Sequence, residues 1–464
     1  MKKPSLWRRS LTALAAAPRR TLHRLLGTAE AAPSPRLPEA VAPAGRRHGD
    51  PARPPKERTG KQPAPRAASH PRGSSNKQLN QTGRSQRNAP NEHSMAPEHE
   101  APTDFQWIDN DAQLQELVVR LSAKVGEGKL TRTYLDTEAD SLHHYTEKLC
   151  LLQLAADGEF FLIDPLKCTE LAGLFALLDS TELWLHGADY DLTLLKRLCG
   201  WTPIKVHDTQ IAARLAGQRA FGLAALVQHY CGVTLCKSSQ KADWSQRPLP
   251  AKMQAYAVDD VRYLAVLSDT LMKELAAANR TGWFEQSCAA LRKDVMNRAE
   301  RDRSDSWRIS GSGNLRPKGL ALLREIWLWR DSTAAEKDVP PFKVLNNQQL
   351  LSLAFEFEEK GTASHSPRWR PKWRETFTAA VHKVRQSDPE TWPQRAKRLQ
   401  RRSTEEERAR IEQLCALRET RASKLGLEPA LLGSRDTLMD LVLNAPKEGD
   451  DSLMPWQREV LGLV

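Results

Sequence analysis

A chain of 464 residues has room for two to four domains and at least one large hydrophobic core. Its charge is uneven: Met1 to Ser94 carries 19 Lys and Arg against 5 acids, with 13 of the 29 prolines, whereas the other 370 residues hold 50 basic and 52 acidic side chains. This excludes a strongly basic folded part, and the sequence has no run of about 20 apolar residues that would make a helical membrane span.

In chain order, residues 1–100 read as a disordered basic tail. With Trp7 as the sole aromatic residue up to Ser94, this stretch cannot bury enough apolar area to offset the entropy of ordering it. Lys2, Lys3, Arg8 and Arg9 precede a short apolar run, Leu11 to Ala17, that ends at Pro18. The pattern is a poor secretory signal. It suits an organelle transit peptide, a membrane-surface or RNA-associating arm, or a tail with no specific role. Met95 is an alternative start, which would leave part of the tail untranslated. The seven cysteines lack paired metal-ligand spacing, so reduced thiols in a cytosolic compartment or an organelle matrix are expected.

Structure is expected from Phe105. Asn110 or Asp111 caps a helix from Ala112 to about Ser122, with Leu114, Leu117, Val118 and Leu121 at helical spacing. Leu130 to Leu135 predicts a strand ending on Asp136, Thr137 and Glu138. Leu149 to Ala155 and Phe160 to Ile163 predict a hairpin turning at Asp157-Gly158. A helix at Leu171 to Leu178, a buried strand at Leu183 to His186 and a helix at Asp189 to Leu198 follow. Next come a weak strand at Lys205 to His207 and a helix at Asp208 to Leu215. Gly222 to Tyr230 is helical, and a long helix runs from Ala251 to Ala278 with Tyr256, Asp260, Tyr263 and Leu267 on one face. The fold class is α/β, a mixed sheet with helices on both faces.

This defines a domain at 105–300. A charged linker at 301–318 leads to an all-helical domain at 319–386, a second linker at 387–404, and a divergent helical domain at 405–464. The two helical blocks repeat an order of parts: an amphipathic helix, a proline-marked loop and a Leu-rich helix.

Asp136 and Glu138 lie two apart at a strand end, so period-two geometry turns both carboxylates to one side, where a divalent cation relieves their repulsion. Such a pair is common on surfaces. Its position at the carboxyl end of a strand, where α/β sheets place ligands, is what distinguishes it. Asp191 reads equally as an acid in a first helical turn. Asp260 sits beside Tyr256, Tyr263 and Leu264 on the packed side of its helix and needs a partner there. Oxygen-only ligands favour Mg²⁺ or Mn²⁺ over Zn²⁺.

Leu135-Asp136-Thr137-Glu138-Ala139-Asp140-Ser141, His186-Gly187-Ala188-Asp189-Tyr190-Asp191 and Tyr256-Ala257-Val258-Asp259-Asp260 resemble the three exonuclease motifs of the DEDD superfamily in its tyrosine-bearing branch. The resemblance is closest to the ribonuclease D family and the catalytic subunit of the nuclear exosome. Cys150-Leu151-Leu152-Gln153-Leu154, Ile163-Asp164-Pro165, His207-Asp208-Thr209-Gln210 and Asp243-Trp244-Ser245-Gln246-Arg247-Pro248-Leu249 also resemble that group, in the same order. The resemblance implies a ribonuclease H-like sheet and two Mg²⁺ ions, with Mn²⁺ as a substitute, held by Asp136, Glu138, Asp191 and Asp260. Asp136 would bridge the ions, Glu138 and Asp260 would complete one site, and Asp191 would support the other. Tyr256 would position the attacking water. The blocks after residue 318 resemble the small helical nucleic-acid-binding domains shared by RecQ-type helicases and ribonuclease D, the second more faintly. The stretch Arg368, Trp369, Arg370, Lys372, Trp373 and Arg374 departs from that pattern and reads either as an RNA-contacting patch or as a protruding helix packed by its tryptophans.

For the substrate, His143, Tyr145, Lys237, Lys241, Trp244 and Arg247 are candidates: Tyr145 to stack on a terminal base, the basic residues to grip phosphate. Their bland reading is a polar loop anchored by Trp244. Asp140, Asp164, Asp208 and Asp259 are left to turn and cap roles. The function expected is a 3′–5′ exoribonuclease releasing nucleoside 5′-monophosphates, acting on transfer-RNA precursors or other structured RNAs, with no membrane association and no obligate protein partner evident. Two alternatives are a DNA exonuclease of the Werner kind and a catalytically silent RNA-binding or scaffold protein.

Overall fold

A computed structural model describes residues 104–236, 238–299, 303–395, 403–444 and 452–463. The basic tail expected at 1–100 and the candidate Lys237 lie outside them. Six strands form one mixed sheet: β1 (Phe105–Ile108), β2 (Arg132–Ala139), β3 (Leu149–Ala156), β4 (Glu159–Ile163), β5 (Glu182–Leu185) and β6 (His207–Asp208), in the order β1-β4-β3-β2-β5-β6. β2, β3 and β4 are successively antiparallel, while β1, β5 and β6 join their neighbours in parallel. The β3–β4 hairpin turns at Asp157 (φ 54°) and Gly158 (φ 78°), the two left-handed residues that match the twist of a two-residue hairpin.

Eight helices surround this sheet: α1 (Asp111–Gly126), α2 (Ala172–Asp179), α3 (Asp189–Cys199), α4 (Thr209–Ala216), α5 (Leu223–Cys231), α6 (Ala251–Arg262), α7 (Leu264–Ala277) and α8 (Thr281–Asn297). Asn110 caps α1 by accepting from the Gln113 backbone N–H. Alternation divides the sheet's apolar residues between two layers. Leu135, Leu152 and Leu154 pack with α1, α2 and α3, whereas Leu151 and Leu162 pack with Trp244, Met253 and Val258 of α6 and the loop before it.

Three expectations need correction. The long helix over 251–278 is two, broken at Tyr263 (φ −98°, ψ −4°). Its halves serve different layers: α6 lies over the sheet, while Leu264, Leu267, Leu271 and Leu275 of α7 join a cluster with α4, α5 and α8. Strand β1 and helix α8 were not anticipated. The stretch 303–318 does not act as a free linker, because Trp307, Ile309 and Leu315 are buried in the helical core that follows.

That core is built by α9 (Pro317–Lys337), α10 (Pro341–Val344), α11 (Asn347–Lys360) and α12 (Pro371–Gln386). Trp369 stacks on Trp329 with centroids 5.4 Å apart, and Trp373 meets the same ring edge-on, so the two tryptophans of the Arg/Trp-rich stretch are committed to packing. The last block comprises α13 (Glu405–Leu425), α14 (Arg435–Leu443) and α15 (Pro455–Leu461). α9 and α13 are both 21 residues long, each followed by a proline-started turn and a capped helix, so the repeat legible in the sequence has a structural counterpart. This block is not independent. Ile411, Leu414, Leu438 and Trp456 share one apolar cluster with α4, α7 and α8, and Trp456 stacks on Trp283 at 4.8 Å.

Candidate active site

The site forms where β2 outruns its neighbour. β5 pairs with β2 only as far as Trp184 opposite Tyr134, leaving Asp136 to Glu138 without a partner on that side. On the other side they pair with Gln153, Leu152 and Leu151, and the register shifts at Glu138/Ala139, ending the strand. Asp136 and Glu138 therefore emerge together at the carboxyl end of a central strand. α6 crosses β2, β3 and β4 and delivers Tyr256 and, one turn later, Asp260.

Carboxylate oxygens of Asp136, Glu138 and Asp260 lie within 4.8 Å of one another. Asp191 stands beside them, held by the Thr137 hydroxyl, which donates to its Oδ1 at 2.5 Å. Thr137 points to the opposite side of β2 from its two acidic neighbours, which is how one tripeptide reaches both the cation-binding face and α3.

Asp191 owes its place to the turn between β5 and α3. Gly187 has φ +72°, a backbone conformation that calls for glycine, and the Gln210 side chain 3.2 Å away would have to give way to a Cβ there. The backbone N–H groups of Gly187 and Ala188 both donate to the Asp208 carboxylate at 2.9 Å, and Asp208 also caps α4 through the N–H of Gln210 at 2.7 Å. One buried aspartate thus clasps two helix starts.

Four acids brought together, Asp191 buried and the other three half-buried, resist ionisation. Burial, then the charges of Asp191, Asp260 and Glu138, push Asp136 well above the usual carboxylate range. Burial with Asp259 does the same to Asp260. Glu138 is pushed up to about 9 by burial and the charges of Asp260 and Asp191. Burial raises Asp191 to about 7 against the opposing Thr137 hydrogen bond. Tyr256 lies beside Asp260, and burial with the surrounding acids keeps its phenol protonated. Such a cluster is costly by itself and is relieved by positive charge. Its hard, all-oxygen donors and three-way convergence fit a divalent cation of the Mg²⁺ or Mn²⁺ type.

The remaining candidates are placed as follows. Trp244 is 1% exposed and packs 6.0 Å from the Tyr256 ring, so it anchors the loop and offers no surface to substrate. Arg247 spends its donors on both oxygens of buried Asp164 and on the carbonyls of Cys150, Trp244 and Gln246. The phosphate grip expected of it is thereby corrected to a strut between loop and sheet. Tyr145 is also committed elsewhere: its hydroxyl donates to Asp331 at 2.9 Å, its backbone N–H donates to Asp338, and its ring packs partly against the helical core. His143 pairs through Nε2 with the Lys241 carbonyl at 2.9 Å, and the Lys241 side chain is exposed. Sequence reasoning passed over Tyr190, which is 49% exposed beside Asp191 and whose hydroxyl donates to Glu147 at 2.6 Å. His144, readable from its place after the first motif either as a neighbour of substrate or as a polar residue at a loop–helix junction, bridges Asp338 and Ser245 at 2.8 and 2.9 Å. Tyr190 was legible as an aromatic residue between two motif acids. The partner of His144 lies 194 residues away and was not.

The sheet order, the paired acids at the end of β2 and the acid and tyrosine on α6 define a DEDD-type 3′–5′ exonuclease with a ribonuclease H-like fold. Residues 105–276 match the 3′-5′ exonuclease domain family, and residues 319–356 match the HRDC domain. Ribonuclease D of Xanthomonas oryzae is 32% identical over 365 residues, covering 76% of this chain and 96% of that protein. Ribonuclease D of Escherichia coli K12 is 33% identical over 272 residues, 56% of this chain and 71% of that one. The crystal structure of E. coli RNase D superposes with a TM-score of 0.59 at 27% identity, covering 77% of this chain and 96% of that chain. The chain belongs to the ribonuclease D family and is an enzyme of the 3′–5′ exoribonuclease class.

Proposed function

We propose that this enzyme trims structured RNAs, transfer-RNA precursors among them, releasing nucleoside 5′-monophosphates from the 3′ end, with two Mg²⁺ ions held by Asp136, Glu138, Asp191 and Asp260. The observation that carries the reading is the convergence of Asp136, Glu138 and Asp260 within 4.8 Å, with Asp191 fixed alongside by Thr137. The E. coli structure is that of an exoribonuclease involved in structured RNA processing, which supports the substrate class. When bound, the cations lower the pKa of water and offset charge developing on the scissile phosphate. The protein supplies the arrangement. Asp136 and Glu138 face one way from a rigid central strand, and Asp260 approaches from α6. Tyr256, kept protonated beside Asp260, orients the attacking water through its phenol hydroxyl and does not serve as a base. The α9–α12 domain is joined to the loop after β2 by His144 and Tyr145, so the element that grips RNA lies against the loop that frames the acids. Seven free cysteines suit a reducing compartment such as the cytosol.

The test is a time course with 5′-labelled and 3′-labelled strands of matched RNA and DNA in Mg²⁺, with Asp136→Asn as control. Stepwise shortening of 5′-labelled RNA and immediate release of labelled mononucleotide from the 3′ label are expected. Preferential digestion of the DNA strand, or of neither, would overturn the reading.

A further inference from the structure

We infer that Gln153, which no motif acid accounts for, is a positioning residue for the cation site, its amide N–H groups holding the carboxylate of Asp136. The inference rests on the cation-binding reading of the four acids given above.

Gln153 lies in the middle of β3 with no exposure to solvent, and among the described residues neither its amide nitrogen nor its amide oxygen has a hydrogen-bond partner. A glutamine amide brings two donors and one acceptor, and leaving all of them idle in an apolar layer is what folded proteins avoid. The sheet register says where its partner lies. Gln153 stands opposite Asp136 on β2 and opposite Leu162 on β4, and residues directly opposite share a face. Leu162 is apolar and packs with Met253 and Val258 beneath α6. The polar side chain directly opposite is therefore that of Asp136, with Cβ atoms at the cross-strand spacing of about 4.5 to 5.5 Å. A glutamine amide spans such a gap.

The Asp136 carboxyl offers oxygen lone pairs to the amide N–H groups, so the pairing needs only that the two side chains share this face. By holding the Asp136 carboxylate, the Gln153 amide would orient it toward a cation gathered by Asp136, Glu138 and Asp260. This orients a ligand through an outer partner, an arrangement that commonly governs metal affinity by 10- to 100-fold. A side chain with a purely structural role would show the opposite profile, since its removal would weaken the metal-free fold and leave cation affinity alone.

The decisive experiment compares wild type with Gln153→Met, which keeps the length and removes the amide, by titration calorimetry with Mg²⁺ and Mn²⁺ and by thermal denaturation in EDTA. Expected are a metal-free midpoint equal to or above wild type, a cation dissociation constant about tenfold weaker, and activity recovered by excess cation. Unchanged cation affinity overturns the inference. So does a lower metal-free midpoint with affinity intact, which would assign the amide to the scaffold. Should wild type bind no divalent cation, the cation reading itself fails, an outcome separate from failure of the role of Gln153. If Gln153→Met does not fold, the side-chain amide resonances of Gln153 in the wild-type protein decide the matter: they shift on adding Mg²⁺ if the inference holds, and stay fixed if it does not.

Discussion

At the scale of single residues, the site divides into groups that meet the reacting atoms and groups that hold them. In the proposed reading Asp136 is central to the first, because its half-buried carboxylate lies among the other acids. Asp136→Asn keeps the shape and removes one charge, so hydrolysis is expected to fall by about a thousandfold or more at saturating Mg²⁺ while RNA affinity stays within about twofold. Near-normal turnover would remove Asp136 from the ligand set. Tyr256→Phe keeps the ring against Trp244 and removes the hydroxyl beside Asp260. Its single-turnover rate is expected to drop by about 10- to 100-fold with cation affinity unchanged, and an unaltered rate would leave Tyr256 a packing residue only. These positions were legible because their meaning is local: an acid two residues from an acid, a tyrosine one helical turn before another. Arg247 and Tyr145 misled for the converse reason. Their partners, Asp164 and Asp331, lie 83 and 186 residues away, and a basic or aromatic residue near a motif looks the same whether it faces solvent or a distant carboxylate.

At the scale of elements, the turn joining β5 to α3 shows how a residue with no contact to substrate sets the site. Asp208 accepts from two backbone N–H groups at that turn and from another at the start of α4. Asp208→Ala leaves buried donors without partners. It is expected to cost about 2 to 4 kcal/mol of stability and to lower kcat by shifting Asp191. Urea denaturation with the single-turnover rate checks both, and a stable variant with an unchanged rate would show that Gly187 and Gln210 suffice to hold the turn. A cap role for Asp208 was readable from its place before a helix, but its grip on the preceding turn was not, since that depends on β6 lying beside β5. Element boundaries followed the same logic. The β3–β4 hairpin could be read from Asp157-Gly158 because turn chemistry is local. The break at Tyr263 could not, because it arises where one continuous apolar pattern feeds two separate layers. Helix α8 was hidden by its charges, although Phe284, Cys288, Leu291 and Val295 recur at helical spacing.

At the scale of the whole molecule, the last helical block and the nuclease share a core, so stability and activity are coupled across more than 150 residues. Trp456 is buried against Trp283, and its backbone N–H donates to Gln286. Trp456→Ala is therefore expected to destabilise the nuclease itself, by about 3 to 5 kcal/mol, with a single cooperative transition at lower temperature. Two separate transitions, with the nuclease midpoint unmoved, would show the block to be an appendage. The acid cluster works on global stability in the opposite direction. Carboxyl groups whose folded-state pKa lies above the unfolded value favour folding below the unfolded value and lose that advantage as pH rises through the folded one. For Asp191 the window runs from 3.8 to about 7, and for Glu138 from 4.5 to about 9, so across pH 6 to 9 the cation-free protein is left with an increasing load of mutually repelling charge. A bound divalent cation removes that load and must compete with protons to do so. The rise in melting temperature on adding Mg²⁺ is thus expected to be small at pH 6 and to grow toward pH 9, and Asp136→Asn is expected to flatten the dependence. Melting curves with Mg²⁺ and with EDTA at each pH measure it directly. An increment independent of pH would mean that the four acids are already ionised without the cation, and would remove burial and mutual repulsion as the reason this site needs one.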